Sequence, residues 1–280
     1  MRAVWVVLDW SGTLSPGAVA FGEPETLRRA LQEAGLPLQD PERFWAEVVV
    51  PTWPEGSTTS IGYARLIARQ LARREGKEAE EGYLEAARRF VQMYLEASAP
   101  DAGWKSILDL LLHHAVRLLV ATDHYAEATE AFARHLQAWG YGVEVLRPQA
   151  SPAVAEARNV IRLANSADLG APKDSPRFWA RLRRLLPDRP ARVWVIDDFG
   201  ANERAEDPYT REAQRRQQRM LEAIAQSWRV PVEGFAFGVP ELGRDPAAAR
   251  IAYRARLEEA RRWLEVRLRL HGGYPKGLAR

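Results

Sequence analysis

The groups best able to do chemistry stand where apolar runs stop. Ala3-Val4-Trp5-Val6-Val7-Leu8 runs straight into Asp9, and Trp10-Ser11-Gly12-Thr13-Leu14 follows. The glycine makes a turn after the acid, and the hydroxyl of Thr13 is placed to brace it. Read alone, Asp9 serves equally well as a turn-forming or capping residue. Val116 to Ala121 forms a second such run and stops at Thr122. Val193-Trp194-Val195-Ile196 ends in Asp197-Asp198, with Asn202 four residues on. Adjacent carboxylates repel one another unless a cation sits near them, and a hard, oxygen-ligated ion such as Mg²⁺ suits that donor set. The bland reading is a pair of exposed turn acids. Lys173 is one of four lysines (with Lys77, Lys105 and Lys276) in a chain whose other basic residues are arginine. A point charge on a flexible stem is thus singled out there, unless it is a solvated loop lysine.

The elements that must position these groups follow from periodicity. Residues 3–8, 116–121 and 193–196 are apolar runs of the kind found in buried parallel strands. Further strands are expected at 143–146, 160–163 and 232–237, with a small helix between the first two of these. Helical spacing marks 23–35 (Leu27, Leu31, with Gly35 as the stop), 41–50 (ended by Pro51), the neighbourhood of Tyr63–Leu71, and Tyr83–Tyr94. It recurs at 107–112, 126–139, 175–186, 208–226 and 246–270. Residues 51–60 read as a loop by composition. Strands alternating with helices imply an α/β fold, a doubly wound parallel sheet, with an all-helical insert early in the chain. In such sheets ligands bind beyond the carboxyl ends of the strands. Asp9, Thr122 and Asp197-Asp198 therefore converge on one rim.

Composition removes several alternatives. With 280 residues, 46% of them apolar, the chain can build a full core. It has no cysteine, which excludes disulfides, zinc–thiolate sites, iron–sulfur clusters and thiol nucleophiles. No apolar run approaches the roughly 18 residues of a membrane span. The N-terminal run ends at an acid with no small-residue cleavage site, so a cytoplasmic protein is expected. Net charge is only +3, a weaker excess than nucleic-acid binders usually carry.

Taken together, these stretches resemble the haloacid dehalogenase-like superfamily, most of whose members are phosphatases. The resemblance covers roughly residues 3–240. Asp9-Trp10-Ser11-Gly12-Thr13-Leu14 is similar to that family's first motif and Thr122 to its second. The run from Ser166 to Trp179 is similar to the third, keeping Ser166, Gly170 and Lys173 but carrying Asp174 where proline usually stands. Asp197-Asp198 with Asn202 is similar to the fourth. The resemblance implies a Rossmann-like core at 1–15 and 101–245, a helical cap at 16–100, and a C-terminal helical extension at 246–280. It also implies a mechanism in which Asp9 attacks phosphorus to form an aspartyl-phosphate. Asp9, Asp198, Asp197 and the backbone carbonyl of Ser11 would hold Mg²⁺. Thr122 and Lys173 would bind phosphoryl oxygens, and the substrate would be a small phosphorylated metabolite enclosed beneath the cap.

Ser11 departs from the pattern. Most phosphatases of this family have a second Asp there, which protonates the leaving group and later activates water; serine cannot do so at neutral pH. Three readings follow: substrates with good leaving groups, such as acyl phosphates; phosphonate cleavage, which needs a cap lysine, with Lys77 the best candidate; or a binding or regulatory role on a disabled site. The dehalogenase branch works without metal, and Asp197-Asp198 argues against it.

Other features read more plainly. His124 could reach the rim as a substitute acid, although a helix-start or surface histidine is the commoner case. Asp123 reads as a helix cap, and His113 and His114 as helix-end residues. Trp45, Trp53, Tyr63 and Arg65 are the cap residues expected to meet the substrate. Arg211, Arg215, Arg216 and Arg219, like the arginines of the tail, alternate with acids and read as a solvated face rather than a nucleic-acid surface. The tail's apolar stripe (Tyr253, Leu257, Ala260, Leu264, Leu268) packs on the core or forms a homodimer contact.

Overall fold

A computed structural model describes residues 3–77, 81–114, 116–148, 160–203, 212–239, 242 and 246–271. The helix expected between the strands near 143 and 163 lies outside the described residues, as do Arg211 and the first residues of the helix expected at 208–226.

Six parallel strands form one sheet: β1 (Ala3–Leu8), β2 (Arg117–Thr122), β3 (Gly142–Val145), β4 (Val160–Asn165), β5 (Pro190–Asp197) and β6 (Val232–Ala236), in the order β3-β4-β2-β1-β5-β6. The central strand is buried on both faces, and its alternation assigns each side chain to one layer. Val6 and Leu8 join one apolar cluster, while Trp5 and Val7 join the other. The register pairs Leu8 with Val120 of β2 and with Ile196 of β5, so β1 and β5 end within a residue of each other and β2 runs two residues past β1. The chain leaves β1 for β2 on one side and β5 for β6 on the other. A crevice therefore opens between β1 and β5 at their carboxyl ends.

Helices cover both faces, which makes this the doubly wound α/β fold expected from the sequence. Between β1 and β2 the chain forms α1 (Pro16–Phe21), α2 (Pro24–Ala34), α3 (Pro41–Phe44), a π-helical turn (Trp45–Val49), α4 (Val50–Gly56), α5 (Tyr63–Arg74), α6 (Glu81–Ala97) and α7 (Gly103–His113). α8 (Ala126–Ala138) follows β2; α9 (Ser166–Leu169) and α10 (Pro176–Leu185) follow β4. α11 (Ala213–Trp228) precedes β6, and α12 (Pro246–Leu270) is the last. The apolar faces of the early helices are continuous with the cluster on the Val6 face of the sheet.

Two expectations need correction here. Pro51 does not end the helix before it. The wide turn at Trp45–Val49 closes with the Val50 N–H donating to the Trp45 carbonyl, so Pro51 enters at the first turn of α4, where its missing N–H is not needed. Of residues 51–60, expected as loop, 51–56 are helical, even with Pro54 inside. The stripe of α12 has one of the two partners considered for it: Tyr253, Leu257, Ala260, Leu264 and Leu268 are all buried in the chain's own core.

Candidate active site

The loop after β1 is a tight turn. The Asp9 N–H donates to the Ile196 carbonyl, tying strand end to strand end, and the Gly12 N–H to the Ser15 carbonyl (both 3.0 Å). Gly12 has φ +74°, and a Cβ there would lie 2.6 Å from Asp198 Oδ2. Only glycine combines that backbone with such close approach of the neighbouring loop. Thr13 braces the turn as expected, and its partner is the other loop: its Oγ1 accepts from the Asp198 N–H at 3.0 Å. Asn202 completes the lock. Its Nδ2 donates to the carbonyls of Gly12 (2.8 Å) and Phe237 (2.9 Å), while its Oδ1 accepts from the Val239 N–H. Trp10, wholly buried, stacks on Phe132 and donates to the Ser98 carbonyl. From behind, Trp104 and Tyr253 both donate to the Thr13 carbonyl, so α7 and α12 hold the same loop.

The loop after β5 is fixed by its own acids. Asp197 Oδ1 accepts from the Phe199 N–H (2.6 Å), and Phe199 takes the left-handed φ of 53° that this turn requires. Asp198 accepts from the N–H groups of Gly200 (3.0 Å) and Asn202 (3.1 Å).

Between the two loops stands Lys173. Its Nζ donates to Asp9 Oδ1 and to Asp197 Oδ2, the latter at 2.8 Å. Its backbone is fixed at both ends: the N–H donates to Asp123 Oδ1 (2.8 Å) and the carbonyl accepts from Trp179 Nε1 (2.6 Å). It is a buried member of the site, not a solvated lysine.

Asp9, Asp197 and Asp198 each offer a carboxylate oxygen, and the three atoms lie within 4.8 Å of one another. All three side chains are buried, which excludes the reading of exposed turn acids. The cluster sets three carboxylates against the one ammonium of Lys173 and is short of positive charge. Burial, followed by the charges of Asp197 and Glu203, pushes the Asp198 carboxyl up to about 7. Burial likewise raises Asp9; Lys173 opposes the rise, while Asp197 and Asp198 add to it. Burial disfavours the Lys173 ammonium, but Asp197, Asp9 and Asp123 outweigh it and hold the amine protonated. A cluster of oxygen donors with unbalanced negative charge fits a hard divalent cation.

A pocket of about 50 Å³ is lined by Asp9, Ser11, Thr122, Lys173, Asp197 and Asp198 among others. The sequence-predicted residues thus come together, except that Thr13 serves from behind as the link to Asp198. Asp123 and Arg216 also line this pocket, and Arg216 Nη2 reaches Asp123 Oδ2 at 3.3 Å. The sequence placed Arg216 among surface arginines; one arginine turned inward carries no local signal. Asp123 is not the cap of α8, whose N-cap is Tyr125 without a side-chain bond.

A second cavity, of about 430 Å³, adjoins the first, and Ser11, Trp53, Asp123 and Glu203 line both. The early helices build most of its wall. Trp45, Trp53 and Tyr63 line it, as expected, but Arg65 is exposed elsewhere. Tyr63 stacks on Tyr125 with ring centres 4.7 Å apart. His124 is also in the wall, buried and not on the surface. Its Nδ1 accepts from the Tyr125 N–H (3.0 Å), so its proton sits on Nε2, 2.9 Å from the Tyr94 hydroxyl. Burial pushes its pKa down to about 3, which removes it as a proton donor near neutrality. The Ser11 hydroxyl is buried and makes no hydrogen bond of ordinary geometry among the described residues, although the nearby Tyr94 hydroxyl feels it. Lys77 is on the surface, bonded to Glu75 and Tyr83. Those two partners keep it protonated, so it is neither placed nor poised to form a Schiff base.

The chain matches no protein-family model and no curated protein sequence. It is similar to a solved structure described as a HAD-hydrolase, YfnB from Bacillus subtilis, bound to magnesium. Identity there is 16% over 70% of this chain and 80% of the other, with a TM-score of 0.44. It is also similar to a predicted HAD-like family hydrolase from Porphyromonas gingivalis, at 14% identity over 90% of this chain and 98% of that one, with a TM-score of 0.43. Among the described residues, no helix is long and apolar enough to cross a membrane.

Proposed function

We propose that the protein is a haloacid dehalogenase-like phosphohydrolase or phosphotransferase that works through an aspartyl-phosphate on Asp9, with residues 16–100 acting as its cap. The observation that supports this reading best is the meeting of Asp9, Thr122, Lys173, Asp197 and Asp198 in one buried polar pocket at the strand ends. An Asp9 oxygen attacks phosphorus as the bond to the leaving oxygen breaks, and the leaving group departs with the electron pair. Water then attacks phosphorus, releasing phosphate and the carboxylate; an acceptor hydroxyl in place of water gives transfer. Lys173 bonds the phosphoryl group as well as Asp9 and keeps the two anions together, which places its contribution where charge develops. Thr122 donates a hydrogen bond to a phosphoryl oxygen. Asp9, Asp197, Asp198 and the Ser11 carbonyl would hold Mg²⁺, which when bound neutralises the repulsion between carboxylate and phosphate.

No acid stands at position 11, and His124 is neutral and already bonded to Tyr94. A leaving group that departs without a proton suits such a site best, and acyl phosphates meet that demand. The test is phosphate release with Mg²⁺ from acetyl phosphate, p-nitrophenyl phosphate and sugar phosphates. Acetyl phosphate is expected to turn over. Asp9→Asn is expected to cut the rate by on the order of 10⁴-fold or more, as loss of a nucleophile does. Ser11→Asp is expected to raise turnover of the sugar phosphates about 10²-fold, the low end of general-acid assistance. No turnover by the wild type or by Ser11→Asp would overturn the reading in favour of a binding protein.

A further inference from the structure

The cavity beside the phosphoryl pocket has an unusual wall for an enzyme of phosphorylated metabolites. Phe21, Phe44, Val49, Trp53 and Phe90 face it. Among its polar groups Tyr63, Tyr94, His124 and Asp123 are engaged, while Ser11 and Glu203 stand where it meets the smaller pocket. The Tyr63 hydroxyl lies 3.4 Å from Thr52 Oγ1, which itself bonds the Val48 carbonyl. His124 and Tyr94 share a bond, and Asp123 is taken by Lys173 and Arg216. Among the described residues, no lysine or arginine lines this cavity. A sugar or a second charged group entering it would lose its water and find few partners. Each buried hydrogen bond left unmade weakens binding. An apolar group gives up no such bond and gains with the area it buries. The volume, about 430 Å³, falls within the range typical of small-molecule sites. The two cavities share Ser11 and Trp53, so a molecule whose phosphoryl group lies against Asp9 extends past Ser11 into this space.

We infer that the cavity selects the organic part of the substrate, and that this part is an uncharged apolar group of one or two rings rather than a sugar, nucleoside or short acid. The inference rests on the phosphoryl-site reading above and narrows the substrate to an aryl or bulky apolar phosphoryl compound. The bond from His124 Nε2–H to the Tyr94 hydroxyl is part of that selection, since it takes the ring's one donor out of the wall.

Calorimetry on the wild-type protein in Mg²⁺ buffer, with two stable probes that share one head group, tests this. 2-Naphthylmethylphosphonate is expected to bind at least tenfold more tightly than methylphosphonate. Equal affinities would overturn the inference. Val49→Trp fills the cavity and is expected to bring the ratio of the two affinities towards one. A variant that fails to fold loses both probes, and the wild-type ratio then decides alone. Phosphate release from acetyl phosphate and benzoyl phosphate, which have similar leaving groups, separates this claim from the catalytic one. A higher kcat/KM for benzoyl phosphate supports the cavity assignment, and equal values count against it. A tenfold affinity ratio with no turnover of either compound would keep the apolar site and remove the phosphotransfer reading.

Discussion

The two cavities that meet at Ser11 are held by different forces. Around Asp9 and Asp198 almost every polar atom is placed by a directed bond: Thr13 to the Asp198 amide, Asn202 to Gly12, Lys173 to two carboxylates. Around Trp53 and Phe44 the wall is placed by ring against ring, as in the edge-on contact of Phe44 with Phe90 at 5.2 Å. A hydrogen-bonded lattice has one solution, and a misplaced member leaves others buried and unpaired. A packed apolar wall has many near-equivalent solutions of similar volume. On the proposed reading, the chemistry belongs to the region that cannot adjust and the choice of substrate to the region that can.

Gly12→Ala would break the rigid side hardest. Its methyl would meet Asp198 Oδ2, and the positive φ adds strain. The loop must shift, and Mg²⁺ affinity is expected to fall by about 10–100-fold, the scale seen when the groups that orient a metal ligand are disturbed. Mg²⁺-dependent thermal stabilisation measures it.

At the seam, His124 stays neutral down to about pH 3 in the folded protein because burial disfavours its charge. The unfolded chain takes up that proton near pH 6.5. The unfolded state then binds more protons, so this contribution to stability is complete above about pH 6.5 and is lost as pH falls towards 3. The expected slope is about 1.4 kcal/mol per pH unit within that window. Urea unfolding at pH 7, 6 and 5 measures it, and His124→Gln is expected to flatten the curve.

The smallest effect belongs to the apolar side. Phe44→Leu, although Phe44 is fully buried, is expected to cost less than about 1.5 kcal/mol if the wall repacks. The thermal midpoint would fall by a few degrees. A stability loss well above that figure would erase the distinction between the two regions.

The same contrast explains what the chain could announce beforehand. Asp9, Thr122 and Asp197-Asp198 are conspicuous because each interrupts an apolar run at a strand end, and strand ends in a doubly wound sheet share a rim. Lys173 stands out because lysine is rare here. The apolar cavity had no such mark. Phe44, Val49 and Phe90 occur at spacings that serve equally to fill a core, and only their tertiary arrangement leaves a space between them. Arg65, polar and on a helix, reads from the sequence as a substrate contact, but the rotation of α5 turns it to the surface. Residues 50–56 hid their helix behind two prolines, because a π turn that makes room for Pro51 has no compositional signal. Arg216 lay concealed among its neighbours for the same reason: inward orientation is decided by Asp123, ninety-three positions away in the chain.

The hold of Tyr253 on the Thr13 carbonyl spans 240 residues. A ribosome adds roughly 5–20 residues each second, so the loop carrying Asp9 emerges on the order of tens of seconds before the helix that steadies it. For about the first two thirds of that interval β1 also lacks its neighbour β5, and Asp9 lacks both Asp198 and Lys173. Asp9 is made well before the residues that come to surround it, so the growing chain carries that acid for more than 150 residues of synthesis with no site around it.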